Sequence, residues 1–238
     1  MKISLLFIKA IVLVLIILVL ICGVLNDLRA QTYQLEMGTN VTSFQFRNSE
    51  GTDIDFLKNG SGSSFKLGVE YKLLDTTKDI SSSSRKFIYF SQKPRIASLL
   101  SMFHIDFQVE ANQLNAVGDN QSIPFSYQTN FGGLSGGLGF NSPQIKQWSL
   151  NLQSKISGHK IIQGNQEVGN QFIDLTHDSQ FSPIQLFAGL GIQLQKKVNE
   201  NLVLFLNFQR MQTFHREALG KPTLNFLNNT ISIGIKLL

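Results

Sequence analysis

The chain has 238 residues, 42% of them hydrophobic and 16% charged, with a formal net charge of +5. That length suits one domain of ordinary size, and the small basic excess, with no basic run interleaved with aromatics, gives no case for a nucleic-acid partner. Cys22 is the only cysteine, so a disulfide framework and a Cys-based metal site are both excluded.

The first thirty residues stand apart. Lys2 and Lys9 mark a basic start, 10–25 is apolar apart from Cys22 and Gly23, and Asn26-Asp27-Leu28-Arg29-Ala30 breaks the run before Gln31. Basic, apolar and small-residue regions in that order predict a secretory signal peptide over 1–30, cut after Ala30. An uncleaved inner-membrane anchor is the alternative. Removal of the leader takes away Lys2, Lys9, Arg29 and Asp27, leaving 18 basic and 15 acidic residues, a charge of +3.

Residues 31–238 then show eight stretches in which large apolar residues alternate with small or polar ones. A period of two puts alternate side chains on opposite faces of a strand. The first, 33–42, sets Tyr33, Leu35, Met37 and Val41 against Gln34, Glu36, Gly38 and Asn40. The second, 65–73, sets Phe65, Leu67, Val69, Tyr71 and Leu73 against Lys66, Gly68, Glu70 and Lys72. The third has Phe103, Ile105, Phe107 and Val109 against His104, Asp106, Gln108 and Glu110. The fourth starts with Phe125, Tyr127, Thr129 and Phe131 on the apolar side and changes phase to Leu134, Leu138 and Phe140. Gly132-Gly133 at the change predicts a β-bulge.

In the fifth, Trp148, Leu150, Leu152 and Ile156 oppose Ser149, Asn151, Gln153 and Lys155. The sixth opposes Ile184, Leu186, Ala188, Leu190, Ile192 and Leu194 to Gln185, Phe187, Gly189, Gly191, Gln193 and Gln195. The seventh has Leu202, Leu204, Leu206 and Phe208 against Val203, Phe205, Asn207 and Gln209. The eighth, ending at Leu238, has Ile231, Ile233, Ile235 and Leu237 against Thr230, Ser232, Gly234 and Lys236. Pro94, Pro124, Pro143, Pro183 and Pro222 fall between these runs or at their first residues, where a missing ladder donor does little harm.

A wet face rich in Gly, Gln, Asn and Ser fits a narrow lumen better than a soluble exterior. The fold expected is therefore an all-β, eight-stranded, antiparallel up-and-down transmembrane β-barrel, its apolar side toward lipid. Outward loops are expected at about 48–64, 113–123, 158–182 and 213–225, with short inward turns near 141–144 and 197–200. The connection at about 75–97 is long for an inward turn and is read as a mobile, serine-rich turn with an early start to the third strand. Tyr33, Tyr71 and Trp148 are expected at the periplasmic rim and Tyr127 at the outer one.

Glu36, Lys66, Glu70, Lys72, His104, Asp106, Glu110 and Lys155 all point to the expected lumen. Eight strands leave an interior just wide enough to be filled, so these charges read as a structural plug of ion pairs with little or no open pore. Two loop clusters could supply a base and a nucleophile, Asp174-Leu175-Thr176-His177-Asp178-Ser179 and Thr213-Phe214-His215-Arg216-Glu217, but polar loops carry such residues by default. No zinc-helix His spacing or phosphate-cradling glycine loop is present. No catalytic, cofactor or metal residue is assigned.

The leader, the eight dyad strands and the terminal strand 229–238 together resemble the small bacterial outer-membrane barrels of the OmpA-transmembrane-domain and OmpX type. The likeness spans 31–238 and rests on pattern, without a unique motif. That family usually ends in an aromatic residue, whereas this chain ends in Leu238. The resemblance implies a Gram-negative outer-membrane protein in contact with lipid and the barrel-insertion machinery. The expected function is non-enzymatic, with outer loops, above all 158–182, touching an envelope or external partner in a structural, adhesive or secretion-accessory role. The alternatives are a lipid-modifying or proteolytic barrel enzyme using His177 or His215, and a soluble lipocalin-like carrier with the apolar side chains inside.

Overall fold

The structure, a computed structural model, describes residues 32–47, 53–54, 57–72, 99–120, 123–169, 171–181, 183–214 and 223–238. The expected leader, the 75–97 connection and His215 lie outside the described residues. Among the described residues ten strands occur in the order β1 (Thr32–Arg47), β2 (Asp53–Ile54), β3 (Leu57–Lys72), β4 (Phe103–Asn120), β5 (Ile123–Asn141), β6 (Trp148–Val168), β7 (Gln171–Asp174), β8 (Gln185–Lys197), β9 (Leu202–Thr213) and β10 (Thr223–Leu237). Eight of them form a ring, β1-β3-β4-β5-β6-β8-β9-β10, every neighbour antiparallel. β10 returns to β1 and pairs with it from Tyr33↔Leu237 to Arg47↔Thr223. The short β2 and β7 add to the outer ends of β1 and β6.

The register fixes the barrel's dimensions. Followed round the ring, the pairing runs from Tyr33 through Val69, Phe107, Gly136, Ile156, Ala188, Gln212 and Leu227 to Ser43, ten residues higher on β1. With strands about 4.8 Å apart and a rise of about 3.3 Å per residue, that stagger tilts the strands by about 40° and gives a backbone radius of about 8 Å.

Around the lower part of the ring the apolar residues face outward, as the alternation predicts. Leu190 is 69% exposed, Ile233 62% and Leu204 44%. Their counterparts Gln34, Glu36, Lys66, His104, Asp106, Asn151, Gln193 and Asn207 are buried in the lumen. On β6 the outward band from Trp148 to Gly158 spans about 25 Å at this tilt, the height of the apolar band of a membrane-spanning barrel. At the lower rim the Lys196 ammonium sits 5.5 Å from the centre of the Trp148 ring. An apolar exterior around a polar, closed centre is the arrangement of a lipid-spanning barrel. It sets aside the soluble carrier, whose oily side chains would have to be inside.

Above the band the two faces exchange character. The outward row turns polar: Ser43 and Gln45 on β1, Gln113 and Asn115 on β4, Ser126, Gln128 and Asn130 on β5, Gln212 on β9. The inward row turns apolar, with Phe44, Leu114, Ala116, Phe131, Ile161, Phe187, Met211, Leu224 and Phe226 in one cluster. Leu175 and Phe181, from the segment between β7 and β8, complete it from above. Phe226 is fully buried at its centre, edge-on to Phe44 with ring centroids 4.7 Å apart and near Phe131, Phe181 and Phe187 at 5.8, 6.1 and 6.2 Å.

This exchange corrects three sequence expectations. Phe125, Tyr127 and Phe131 do not face lipid: Phe125 and Phe131 are buried inside, and Tyr127 packs against the inner cluster rather than standing at the membrane interface. Nor does the strand bulge at Gly132-Gly133. Pairing to β4 runs unbroken through both glycines, and the odd-numbered residues from Phe125 to Gly139 keep to one face. What changes there is which face is oily. The register shift lies opposite, where Asn130 pairs with Gln163 and Phe131 with Ile161, leaving Ile162 of β6 as the extra residue. Finally, much of the expected outer loops is strand, because β1, β3, β4, β5, β6 and β10 continue past the band with inverted polarity.

Replacing Phe226 with Ala should destabilise the barrel by about 3–5 kcal/mol, the range for a buried aromatic truncation. Leu190→Ala on the lipid face should cost much less, since it opens no internal cavity. Urea unfolding in lipid vesicles, followed by fluorescence of the single tryptophan Trp148, measures both.

Candidate functional site

The lumen carries the densest chemistry among the described residues. Four carboxylates, Glu36, Glu70, Asp106 and Glu110, face three lysines, Lys66, Lys155 and Lys236, together with His104 and His159. All are buried, and they come from β1, β3, β4, β6 and β10 because inward positions of successive strands converge in a narrow ring. Lys72, expected in this set, is exposed at the lower end of β3. Lys236 and His159 belong to the set although the sequence reading left them out of its charged group.

Three layers can be followed upward. In the lowest, the Lys236 ammonium donates to Glu70 Oε2 at 2.6 Å and lies 5.8 Å from the Phe205 ring centre. His104 Nε2 is 3.7 Å from the same carboxylate, and the imidazole is bracketed by Asn141 Nδ2 and Asn151 Nδ2, each at 3.2 Å. In the middle layer Glu36 Oε1 accepts from Asn207 Nδ2 at 2.9 Å and from the Ser232 hydroxyl, and lies 3.2 Å from the Lys66 ammonium. Lys66 also donates to Gln209 Oε1. Lys155 lies 3.7 Å from Asp106 Oδ1 and donates to Gln108 Oε1. In the top layer Glu110 takes a bond from the Ser135 hydroxyl at 2.6 Å and sits 3.0 Å from His159 Nε2.

Glycines of β5 make this packing possible. A Cβ at Gly139 would overlap the His104 ring, and one at Gly133 would overlap His159. Both imidazoles occupy the space that a side chain at these glycines would fill. Immediately above Glu110 and His159 the apolar cluster begins, so the polar column is blind at its outer end. Ion pairs and amides give way upward to packed rings, and each carboxylate is engaged by a lysine or an imidazole.

The outer-loop candidates resolve differently. His177 is exposed, with Nδ1 3.0 Å from the Thr176 hydroxyl and 4.0 Å from Asp174 Oδ2. The hydroxyl donates to Asp174 Oδ1 at 2.8 Å, and the Thr176 backbone N–H donates to the same oxygen at 2.8 Å. Those two bonds hold the Asp174 carboxyl below the ordinary aspartate range. A hydrolytic triad requires the imidazole between nucleophile and acid, using both ring nitrogens. Here hydroxyl and carboxylate share one side of the ring, which is the geometry of a capped turn. Among the described residues no cluster of three or more His, Cys, Asp or Glu side chains is placed to hold a metal.

The sequence matches no protein-family model and no curated protein. Among solved structures the chain is similar to Neisserial surface protein A, with a TM-score of 0.43, 9% identity, and coverage of 85% of this chain and 96% of that one. It is similar to the outer membrane protein OprG from Pseudomonas aeruginosa, with a TM-score of 0.44, 9% identity and coverage of 87% and 96%. It is also similar to Ail, the attachment invasion locus protein of Yersinia pestis, with a TM-score of 0.37, 8% identity and coverage of 86% and 97%. The closed ring and its lipid-facing band carry the fold assignment by themselves.

Removing one member of the Glu36–Lys66 pair strands its partner's charge in the lumen. Glu36→Met and Lys66→Met should each destabilise by about 3–5 kcal/mol, while the double replacement should lose less than the sum of the two. The same urea unfolding assay reads the cycle.

Proposed function

We propose that this outer-membrane-type barrel is non-conducting and non-enzymatic, and that its raised outer end contacts a partner in the envelope or outside the cell. The observation that carries the reading is the β6–β7 hairpin. It rises above the lipid band and turns at Gly169, which takes a left-handed φ of 58°. All four β7 residues are exposed; Phe172 is 72% and Ile173 46% exposed, beyond the band where lipid would cover them. Two large apolar side chains at an aqueous tip favour a contact surface. A binding role is favoured over surface hydrolysis because His177 makes a turn contact and has no second ring-nitrogen partner among the described residues.

Placing a photo-reactive residue at position 172 in cells that natively make the protein tests the contact. Discrete protein adducts are expected at 172 and absent at lipid-facing position 190; adducts at neither would overturn the reading. His177→Ala should leave growth, envelope lipid profile and surface peptide cleavage unchanged, whereas a changed lipid or peptide pattern would favour the enzyme. In planar bilayers the purified barrel should give no steady single-channel current of general-porin size.

A further inference from the structure

We infer that Arg210, with Gln212 and Asn229 beside it, holds the phosphate of an outer-leaflet lipid against the barrel wall. The outward row of β9 reads Leu202, Leu204, Leu206, Phe208, Arg210, Gln212, and that of β10, from the same end, Leu237, Ile235, Ile233, Ile231, Asn229. Arg210 is paired with Asn229 across the ladder, so the two side chains are neighbours on the lipid-facing side. Gln212 stands one step higher on the same row. On the other flank Arg210 pairs with Leu190 and Gln212 with Ala188, and the small Ala188 leaves room at the upper edge.

The height of this group gives it meaning. Eight residues above Leu202 at the barrel's tilt is about 20 Å, just inside the outer edge of a band about 25 Å tall. A guanidinium at that level extends its stem along apolar wall and lifts its charged head to the headgroup plane. Among the described outward-facing residues between Lys196 at the lower rim and Lys160 above the upper edge it is the one charge, and no ion pair or hydrogen bond joins it to another described side chain. A lipid-facing cation without a protein counter-ion is unfavourable unless the surrounding lipid supplies one. The anion available at that height is a headgroup phosphate. The guanidinium fork matches two of its oxygens, and the amide NH2 groups of Asn229 and Gln212 are further donors on the same face.

The test uses the folded full-length barrel and a bisphosphorylated lipid A as probe, with the dephosphorylated lipid of identical acyl chains as control, read by native mass spectrometry across a titration. The wild type should prefer the phosphorylated lipid, and Arg210→Leu should bind it roughly tenfold more weakly, with unchanged binding of the control. Arg210→Lys, which keeps the charge and loses the fork, should fall between them; Arg210→Gln, read in parallel, should match the leucine variant. Equal binding of the phosphorylated lipid by wild type and the leucine or glutamine variant would overturn the assignment, as would a wild type indifferent to the phosphates.

Discussion

Hydrocarbon offers no water to an unpaired backbone N–H or C=O, and a sheet can cross it only when its last strand finds its first. In this chain that requirement is met by the β1–β10 ladder, which runs from Tyr33↔Leu237 at one rim to Arg47↔Thr223 well beyond the lipid band. Once the ring is closed, side-chain direction is settled by alternation, and each strand must carry its oily residues outward wherever lipid surrounds it. The stagger of the closed register then sets the radius, and the radius decides what the centre can hold. Eight tilted strands leave room for one column of side chains, which explains why Glu36, Lys66, Asp106 and Lys155 can meet from four different strands.

The same closed ring serves two solvents. Below the outer boundary it is a membrane barrel with a polar centre; above it the identical strands continue as a small water-facing barrel with an aromatic centre. Phe44, Phe131, Phe187 and Phe226 are inward at positions whose counterparts lower on the same strands are polar residues or glycine, among them Glu36, Ser135, Gln193 and Thr230. The boundary inside and the boundary outside coincide in height because both respond to the same change, the end of the lipid. The polar column is thereby capped by a core that gains its stability from the hydrophobic effect in water.

Strand number, the direction of each face in the lipid band and the polar composition of the lumen were legible from alternation alone. Even Val203 and Phe205, the least polar inward pair, lie inside as read. What alternation does not disclose is which side of an apolar row is out, because the period is the same either way. Phe125, Tyr127 and Phe131 followed the rule of a strand and broke the rule of a membrane, since they lie beyond it. The outer extension of β6, Gly158 to Val168, is hard to read for a related reason: polar residues crowd both faces, and the extra residue Ile162 shifts the period partway. The charges of the lumen were visible, but their pairing depends on the ten-residue stagger, which no local stretch encodes. Arg210 fell between the seventh run, read as far as Gln209, and the loop expected from about 213, so alternation gave it no face.

The inverted upper half constrains the order of assembly. Its outer wall, lined by Asn130, Gln128 and Gln212, and its greasy interior are both wrong for the bilayer they must pass through. The rings around Phe226 can therefore come together only after the hairpin tips have crossed, and Leu175 and Phe181, from between β7 and β8, close the stack from above. Transit and locking are thus separate events, and the aromatic lid acts as a latch that makes the crossing hard to reverse.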